Sequence, residues 1–592
     1  MLVSERITKL QSLLEENKID IYIIPTADFH NSEYVHSYFK EREFMSGFTG
    51  SAGTLIVTKT QAGLWTDGRY FIQAENQLKD SGIELYRMGE EGVSSIEEFI
   101  GDNLSIKGVL AVDGRMITAH EGKKWQEICA NKQATLNDSV QLINEIWDNR
   151  PEYPSGKVFI LEEKWCGEDR NSKLSKIRKF MKEVNAEAHL LASLDDIAWL
   201  LNIRGNDIPY NPVALSYLYL TMDEMHLFID ENKLDDKTKS ELANVIFHPY
   251  HDIYDYLTNE TGSILYDPQK INYSLYQKIS NKRIEKENPE ILLKAIKNST
   301  EIGNLRLAHI YDGLAITRFI YWLKNEIGKQ DISEVMAIEY LQKCREENYH
   351  YLQPSFSAIG AYNSNAAMMH YNPSIASTST LLQPSGFYLI DSGGQYYEGT
   401  TDITRTICLG EISDQWKKHY TLVLKGMIRL SMAKFLYGCS GMQLDILSRG
   451  ALWDIGIDYK SGTGHGVGYL LNVHEAPNGF RWRIVPERND SCVLESGMVT
   501  TVEPGVYIDG SHGIRIENEL VCQKAEKNEY GQFMNFETIT VCPIDLDAVD
   551  KTLLDEKEIN FLNCYHEHVY NTLAEFLSDE QKVWLKKETR SL

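Results

Sequence analysis

The chain has 592 residues, with 60 basic and 85 acidic side chains, a formal charge of −25 and 43% hydrophobic residues. That apolar share builds real cores and excludes a mainly disordered chain, the length allows about three or four domains at roughly 150 residues each, and the negative balance repels a phosphate backbone, which excludes nucleic acid as a main partner. Nine scattered cysteines, odd in number and without a C-x-x-C pair, argue against a disulfide framework and a thiolate zinc site and for a reducing, cytoplasmic setting.

The first expected element is an amphipathic helix, because Ile7, Leu10, Leu13 and Leu14 recur at helical spacing among charges, unlike the continuous apolar core of a secretion signal. No apolar run approaches 18 residues, so no membrane span is expected. Residues 19–24, ended by Pro25, then 53–58 and 64–70 carry strand and turn signals, an α/β pattern over residues 1–150. Residues 150–156 hold two prolines and a glycine and read as a linker. Beyond it the order recurs: a charged helix over 170–184, apolar runs at 188–192 and 197–201, a polar stretch at 204–207 and another apolar run at 217–220. A divergent duplicate of the first domain is therefore expected over 151–300. A long helical stretch over 291–324 leads into a third domain, 301–592, which carries a charged helical extension from about 540.

Candidate chemistry concentrates in that third domain. Asp391 ends an apolar strand signal just before Gly393 and Gly394, and Asp402 lies in the β-branched run 400–406. A tight turn at Gly393-Gly394 would set Asp391 opposite residue 396, so bringing the two carboxylates together requires a wider loop or a bulge near Gly399. His465 stands among Gly462, Gly464, Gly466 and Gly468, with His474 nine positions on. Val467 breaks a G-x-G-x-x-G spacing and rules out a dinucleotide cradle; the glycines suit an imidazole that must approach a metal closely. Glu503 and Glu517 are symmetric about residue 510, at the Asp509-Gly510 turn signal, so a hairpin would set them opposite each other. Like charges so placed destabilise a hairpin, and a pair of divalent ions reverses the penalty. Arg515 shares a strand face with Glu517 and is placed to orient it. Each piece alone also fits ordinary structure: an aspartate at a turn, a histidine in a glycine-rich loop, a charged hairpin face. Together they are four carboxylates and one imidazole. Such a set suits Mn²⁺, with Zn²⁺ and Co²⁺ as alternatives, and carboxylates shared between two ions hold them roughly 3.5–4 Å apart, acidify a water and polarise a carbonyl. Hydrolysis is the implied reaction.

These five residues and their surrounding motifs resemble the metal-ligand pattern of the creatinase/aminopeptidase, or pita-bread, metallopeptidases. The whole length is similar to the three-domain aminopeptidase P branch of that family, including residues 47–53, 65–70, 367–371 and the C-terminal extension. The resemblance implies an α/β (α+β) architecture of two related creatinase-like domains followed by a pita-bread catalytic domain. It implies that Asp391 binds one divalent ion, that His465 and Glu503 bind the other, and that Asp402 and Glu517 bridge them. It implies that Glu503 acts as general base or acid on a hydroxide held between the ions, that His370 and His474 contact the substrate and stabilise the tetrahedral intermediate, and that Arg69 reaches the peptide from the first domain. On residues alone, His370 is a strand histidine beside Tyr371 and Arg69 an arginine in a turn. The implied substrates are peptides with proline at the second position, and the implied assembly is a homodimer. Ser461 departs from the pattern, since relatives of this type commonly carry histidine there. A prolidase-like dipeptidase and a non-catalytic peptide-binding protein of the same fold are the alternatives; the complete ligand set and the three-domain length favour the aminopeptidase.

Overall fold

The computed structural model describes residues 1–280, 282–373, 379–485 and 488–592. The chain divides into two compact units, one made of residues 1–162 and 168–290 and the other of residues 163–167 and 291–592.

The first unit opens on the helix Val3–Glu16, which buries Ile7, Leu10, Leu13 and Leu14 as their spacing requires. It holds two six-stranded sheets. In chain order the first uses Ile21–Pro25, Thr54–Thr58, Ala62–Thr66, Glu84–Arg87, Val109–Ala111 and Thr135–Asn137, and the second uses Ala188–Leu191, Ser216–Thr221, Met225–Ile229, Ile246–His248, Ile264–Tyr266 and Arg283–Glu285. Numbered by chain order within each sheet, both run 4-3-2-1-5-6. Their polarities agree too: the 1-2 and 2-3 pairs are antiparallel, and the 3-4, 1-5 and 5-6 pairs are parallel. A parallel step needs a crossover, and corresponding helices supply it, Phe71–Gln77 and Ala119–Asn131 in the first half, Asp236–Glu241 and Tyr273–Lys278 in the second. This is the duplicated α/β architecture that the recurring sequence pattern implies. The apolar run 197–201 lies in a helix, Leu194–Leu201, which stops where Asn202 turns left-handed at φ 50°.

In the second unit, the stretch read as one helix over 291–324 is two, Pro289–Ala295 and Ser299–Glu326. Asn298 separates them because its side chain caps the longer helix, accepting the N–H groups of Thr300 and Glu301. A three-stranded antiparallel sheet (Ile359–Tyr362, Phe387–Ser392, Ile403–Cys408) and a six-stranded sheet that includes Val499–Val502, Gly464–Gly466 and Asn518–Asn528 carry the candidate residues. The C-terminal helices Glu556–Leu573 and Asp579–Glu588 are built into this unit, since Leu562, Val569, Leu573 and Leu585 share one core with Leu520, Cys522 and Met534. No helix among the described residues is long and apolar enough to cross a membrane.

Candidate metal centre

The hairpin that carries the two glutamates is interrupted at the glutamates themselves. Val499–Val502 pairs with Asn518–Asn528, matching Val502 with Asn518, and Gly505–Ile508 pairs with His512–Arg515, matching Gly505 with Arg515. Both ladders are symmetric about residue 510, so Glu503 and Glu517 stand across from each other in the gap between them. Gly510 supplies the left-handed residue of the tip at φ 66°.

Asp391 and Asp402 are brought together by a longer reversal than a turn at Gly393-Gly394. Asp391 pairs with Thr404, and the register continues through Gln395 with Thr400 and Tyr396 with Gly399, so the chain turns at Tyr397-Glu398. Asp402 then lies diagonally from Asp391 on the same face. Gly393 serves packing instead of turning: a Cβ there would sit 1.9 Å from the Thr401 carbonyl oxygen.

The glycines around His465 serve packing as well. A Cβ on Gly464 would come within 1.9 Å of the Thr501 carbonyl oxygen, and one on Gly466 within 2.3 Å of the Glu475 carbonyl oxygen. Neighbouring strands therefore close on the backbone that flanks His465, whose Nε2 lies 3.4 Å from Asp402 Oδ2 and 3.4 Å from Glu503 Oε1. Its Nδ1 is 2.9 Å from the Gly466 carbonyl oxygen, which can only accept. That contact assigns the proton to Nδ1 and turns the Nε2 lone pair toward the carboxylates. Asp402, His465 and Glu517 each offer a ligand atom, all within 4.8 Å of one another. A lone pair facing carboxylate oxygens is repelled unless a cation lies between them, so this donor set fits a divalent ion.

Electrostatics point the same way. The carboxyls of Asp402 and Glu517 are pushed well above the usual carboxylate range, first by burial and then by like charge: Asp391, Glu503 and Glu519 act on Asp402, and Asp402, Glu503 and Asp391 act on Glu517. The chain supplies Arg515, whose Nη2 donates to Asp391 Oδ2 at 2.5 Å, Nη1 to the Tyr507 hydroxyl at 2.7 Å and Nε to Thr404 Oγ1 at 3.2 Å. The sequence reading places Arg515 on Glu517; in the structure it grips Asp391 and reaches Glu517 through Thr404, whose hydroxyl donates to Glu517 Oε2 at 2.8 Å. Counting alternation from 515 to 519 fails because one ladder ends at Arg515 and the next strand starts at Asn518. The other oxygen of Asp391, Oδ1, is buried without a hydrogen-bond partner among the described residues, and is available to a cation.

The sequence reading missed three supports. Fully buried Glu519 accepts the Asp402 N–H at 2.7 Å, and its other oxygen is 3.2 Å from His309 Nε2. Its signal was the Glu-x-Glu repeat with Glu517. Thr501 accepts the His465 N–H at 3.0 Å and donates to Glu503 Oε1 at 3.2 Å. Thr404 is the third.

His474 stands edge-on to His465, with ring centroids 4.3 Å apart and planes at 75°. His370 is half-buried just after the short helix Asn363–Ala367, which packs so closely on the hairpin that a Cβ on Gly513 would lie 1.8 Å from the Ala366 carbonyl oxygen. Arg69, in the first unit, donates to both oxygens of Asp67 at 2.8 and 2.7 Å. The same clasp recurs in Asp113-Gly114-Arg115, at 3.0 and 2.7 Å. The Ser461 carbonyl accepts from Arg449 Nη2 at 3.2 Å.

Residues 6–146 and 149–301 each match the creatinase/prolidase N-terminal domain, residues 303–524 match metallopeptidase family M24, and residues 532–592 match the C-terminal region of that peptidase family. Fold and site together define a metallopeptidase of the pita-bread class. The chain is 36% identical to Xaa-Pro aminopeptidase 1 of Dictyostelium discoideum, covering 100% of this chain and 97% of that protein. It is 38% identical to a probable Xaa-Pro aminopeptidase P of Tuber melanosporum, covering 99% and 98%. It therefore belongs to the Xaa-Pro aminopeptidase family. The crystal structure of an X-prolyl aminopeptidase from Caenorhabditis elegans, described as a cytosolic enzyme with a di-nuclear active site, matches at a TM-score of 0.95 with 34% identity and covers 100% of both chains. A Xaa-Pro dipeptidase from Bacillus anthracis, 23% identical with a TM-score of 0.52 over 64% of this chain, shares the fold.

Proposed function

We propose that Asp391, Asp402, His465, Glu503 and Glu517 hold the two divalent ions with which this chain, a metal-dependent Xaa-Pro aminopeptidase, releases an N-terminal residue that precedes proline. The observation that carries the assignment is the position of His465 Nε2, 3.4 Å from one oxygen each of Asp402 and Glu503. When bound, the ions acidify a water and polarise the scissile carbonyl. Asp391 offers Oδ1 while Arg515 holds its other oxygen. Asp402 and Glu517, whose buried carboxyls resist ionisation beside each other, would serve both ions. Glu503, aligned by Thr501, takes a proton from the attacking water and delivers it to the departing proline nitrogen. His474 and His370 bind the peptide and support the oxyanion that develops on its carbonyl, and Arg69 contacts the chain of the substrate.

We assign Mn²⁺ on the oxygen-rich donor set, ahead of Zn²⁺ and Co²⁺. The cytosolic description of the C. elegans enzyme supports a cytoplasmic location. For the homodimer, the support is an exposed apolar stripe of Met442, Ile446 and Trp453 on the helix Gly441–Trp453, extended by Trp482, 6.1 Å from Trp453 between ring centroids. Domain boundaries near 150 and 300 are supported by the family-model spans. Metal analysis combined with mass spectrometry of Xaa-Pro-Xaa and Xaa-Ala-Xaa peptides tests the function. We expect two ions per chain, loss of cleavage on chelation, recovery with Mn²⁺, and little cleavage before alanine, since a pocket shaped to an imide nitrogen without N–H and a fixed φ rejects ordinary peptides. Full turnover by metal-free protein overturns the mechanism. Equal rates on both peptides overturn the proline specificity.

A further inference from the structure

We propose that Arg405 is a positioning residue that sets Glu517 in place and makes the metal centre depend on the C-terminal region; the proposal rests on Glu517 being a metal ligand. Alternation along Ile403–Cys408 exposes the anomaly. Thr404 and Thr406 face the hairpin, donating to Glu517 Oε2 and to the Arg515 carbonyl oxygen at 2.8 Å each. Ile403 and Ile407 face the other way, into a core with Ile316, Phe319 and Ile320. Arg405 falls in the isoleucine row, where the period of two calls for an apolar side chain, and it is 2% exposed.

A guanidinium in that row is tolerated only if its donors are satisfied, and they are satisfied without a carboxylate. Nε donates to the Pro543 carbonyl at 3.0 Å, and Nη1 donates to the carbonyls of Thr404 at 3.0 Å and Glu517 at 2.6 Å. Nη2 donates to Asn518 Oδ1 at 2.9 Å, to the Cys542 carbonyl at 3.0 Å and to the Tyr565 hydroxyl at 3.0 Å. Tyr565, on the C-terminal helix Glu556–Leu573, donates its own hydroxyl to the Cys542 carbonyl at 2.8 Å.

The shortest of these contacts is made to the carbonyl of Glu517, the residue that lies between two ladders and belongs to neither. Its N–H reaches the Thr404 carbonyl at 3.1 Å and its side chain the Thr404 hydroxyl, so Arg405 supplies the remaining hold on its backbone. One planar, permanently charged fork spans the ligand-bearing segment and residues 542, 543 and 565; a lysine, with three donors at a single point, cannot reach both.

The test compares Arg405→Lys and Tyr565→Phe with the wild type. The readouts are affinity of the metal-stripped protein for Mn²⁺ by calorimetry, thermal unfolding without metal, and kcat and KM at saturating Mn²⁺. We expect Mn²⁺ affinity to fall about 10–100-fold in Arg405→Lys and by less in Tyr565→Phe, as for other groups that hold a ligand from behind, with kcat reduced and KM for the peptide nearly unchanged. Wild-type Mn²⁺ affinity in both variants, even with a lower unfolding temperature, overturns the proposal and leaves Arg405 a purely structural residue. If Arg405→Lys does not fold, Tyr565→Phe decides by the same measurement. Glu517→Gln is run beside them: two ions bound with wild-type affinity in that variant reject Glu517 as a ligand, whatever the Arg405 variants do.

Discussion

In the first unit Asp207 is buried against Lys233 at 2.6 Å, and its carboxylate also accepts the N–H groups of Gly156 and Leu215 at 2.8 and 2.7 Å. In the second unit Asp402 and Glu517 are equally buried, but the charges that act on their carboxyls are mainly further carboxylates; Arg515 is committed to Asp391, and Arg405 spends its donors on backbone carbonyls, Asn518 and Tyr565. The histidines differ in the same way. His30 engages both nitrogens within its unit, Nδ1 with the Ala192 carbonyl at 2.8 Å and Nε2 with the Tyr250 hydroxyl at 2.6 Å, whereas His465 turns one nitrogen toward carboxylates. A buried charge whose counter-charge is in the chain is completed structure; one whose counter-charge is missing marks a place for an external ion.

The contrast can be broken most severely at Asp402. Asp402→Asn keeps the shape and removes the charge, and we expect activity to fall by more than the roughly 10–100-fold typical of residues one step behind a ligand, with bound metal reduced. Near wild-type turnover with two ions in metal analysis would show that Asp402 is not shared between them. Lys233→Met should act in the opposite sense. Removing one partner of a buried pair costs about 3–5 kcal/mol of stability, read by urea unfolding, while kcat of the folded enzyme stays at the wild-type value. A fall in kcat without a fall in stability would erase the distinction between the two regions.

A smaller effect is expected from His30. Burial lowers its pKa to about 4, so in acid the unfolded chain takes up a proton that the folded chain refuses. Its contribution is complete above pH 6.5 and is lost as pH falls toward about 4, at up to about 1.4 kcal/mol per pH unit. His30→Gln should flatten unfolding free energies measured between pH 7 and 5; an unchanged slope would mean that other groups set it. The smallest change is expected at Ser461. The loop is held there through the Ser461 backbone carbonyl, so Ser461→His should leave it intact. We expect kcat to rise most on the acidic side of its pH profile at constant metal content, by less than the roughly 10²-fold lower bound of complete general acid–base catalysis. An unchanged or lower rate would assign position 461 no proton-transfer role.

What could be read from the sequence was whatever depends on counting along an unbroken element. The symmetry of Glu503 and Glu517 about residue 510 survives in both ladders, because a hairpin register is set by its tip. The recurrence of helix and strand signals after residue 156 corresponds to two sheets of identical order, because both depend on local pattern. Counting failed across discontinuities. The alternation that places Arg515 on Glu517 stops between them, whereas the wider loop required beyond Gly393-Gly394 is present, because the register runs on unbroken to the reversal at Tyr397-Glu398. Arg405 was passed over because a charged residue inside a β-branched run reads as a solvated face until the partner of that face is known.

The symmetric hairpin also says where this enzyme can be lengthened. Its tip, Asp509-Gly510-Ser511, closes a loop beyond the last matched pair, Ile508 with His512, and a Cβ on Gly510 would meet no atom within 4 Å. Residues grafted at the tip extend the loop and leave both arms in register. One residue added to a single arm slides that arm by one position and turns its side chains to the opposite face, so the glutamate it carries leaves the cluster. The tip is therefore a tolerant site for an epitope, a fluorophore tag or a tether, while either arm, a few residues away, accepts no change in length.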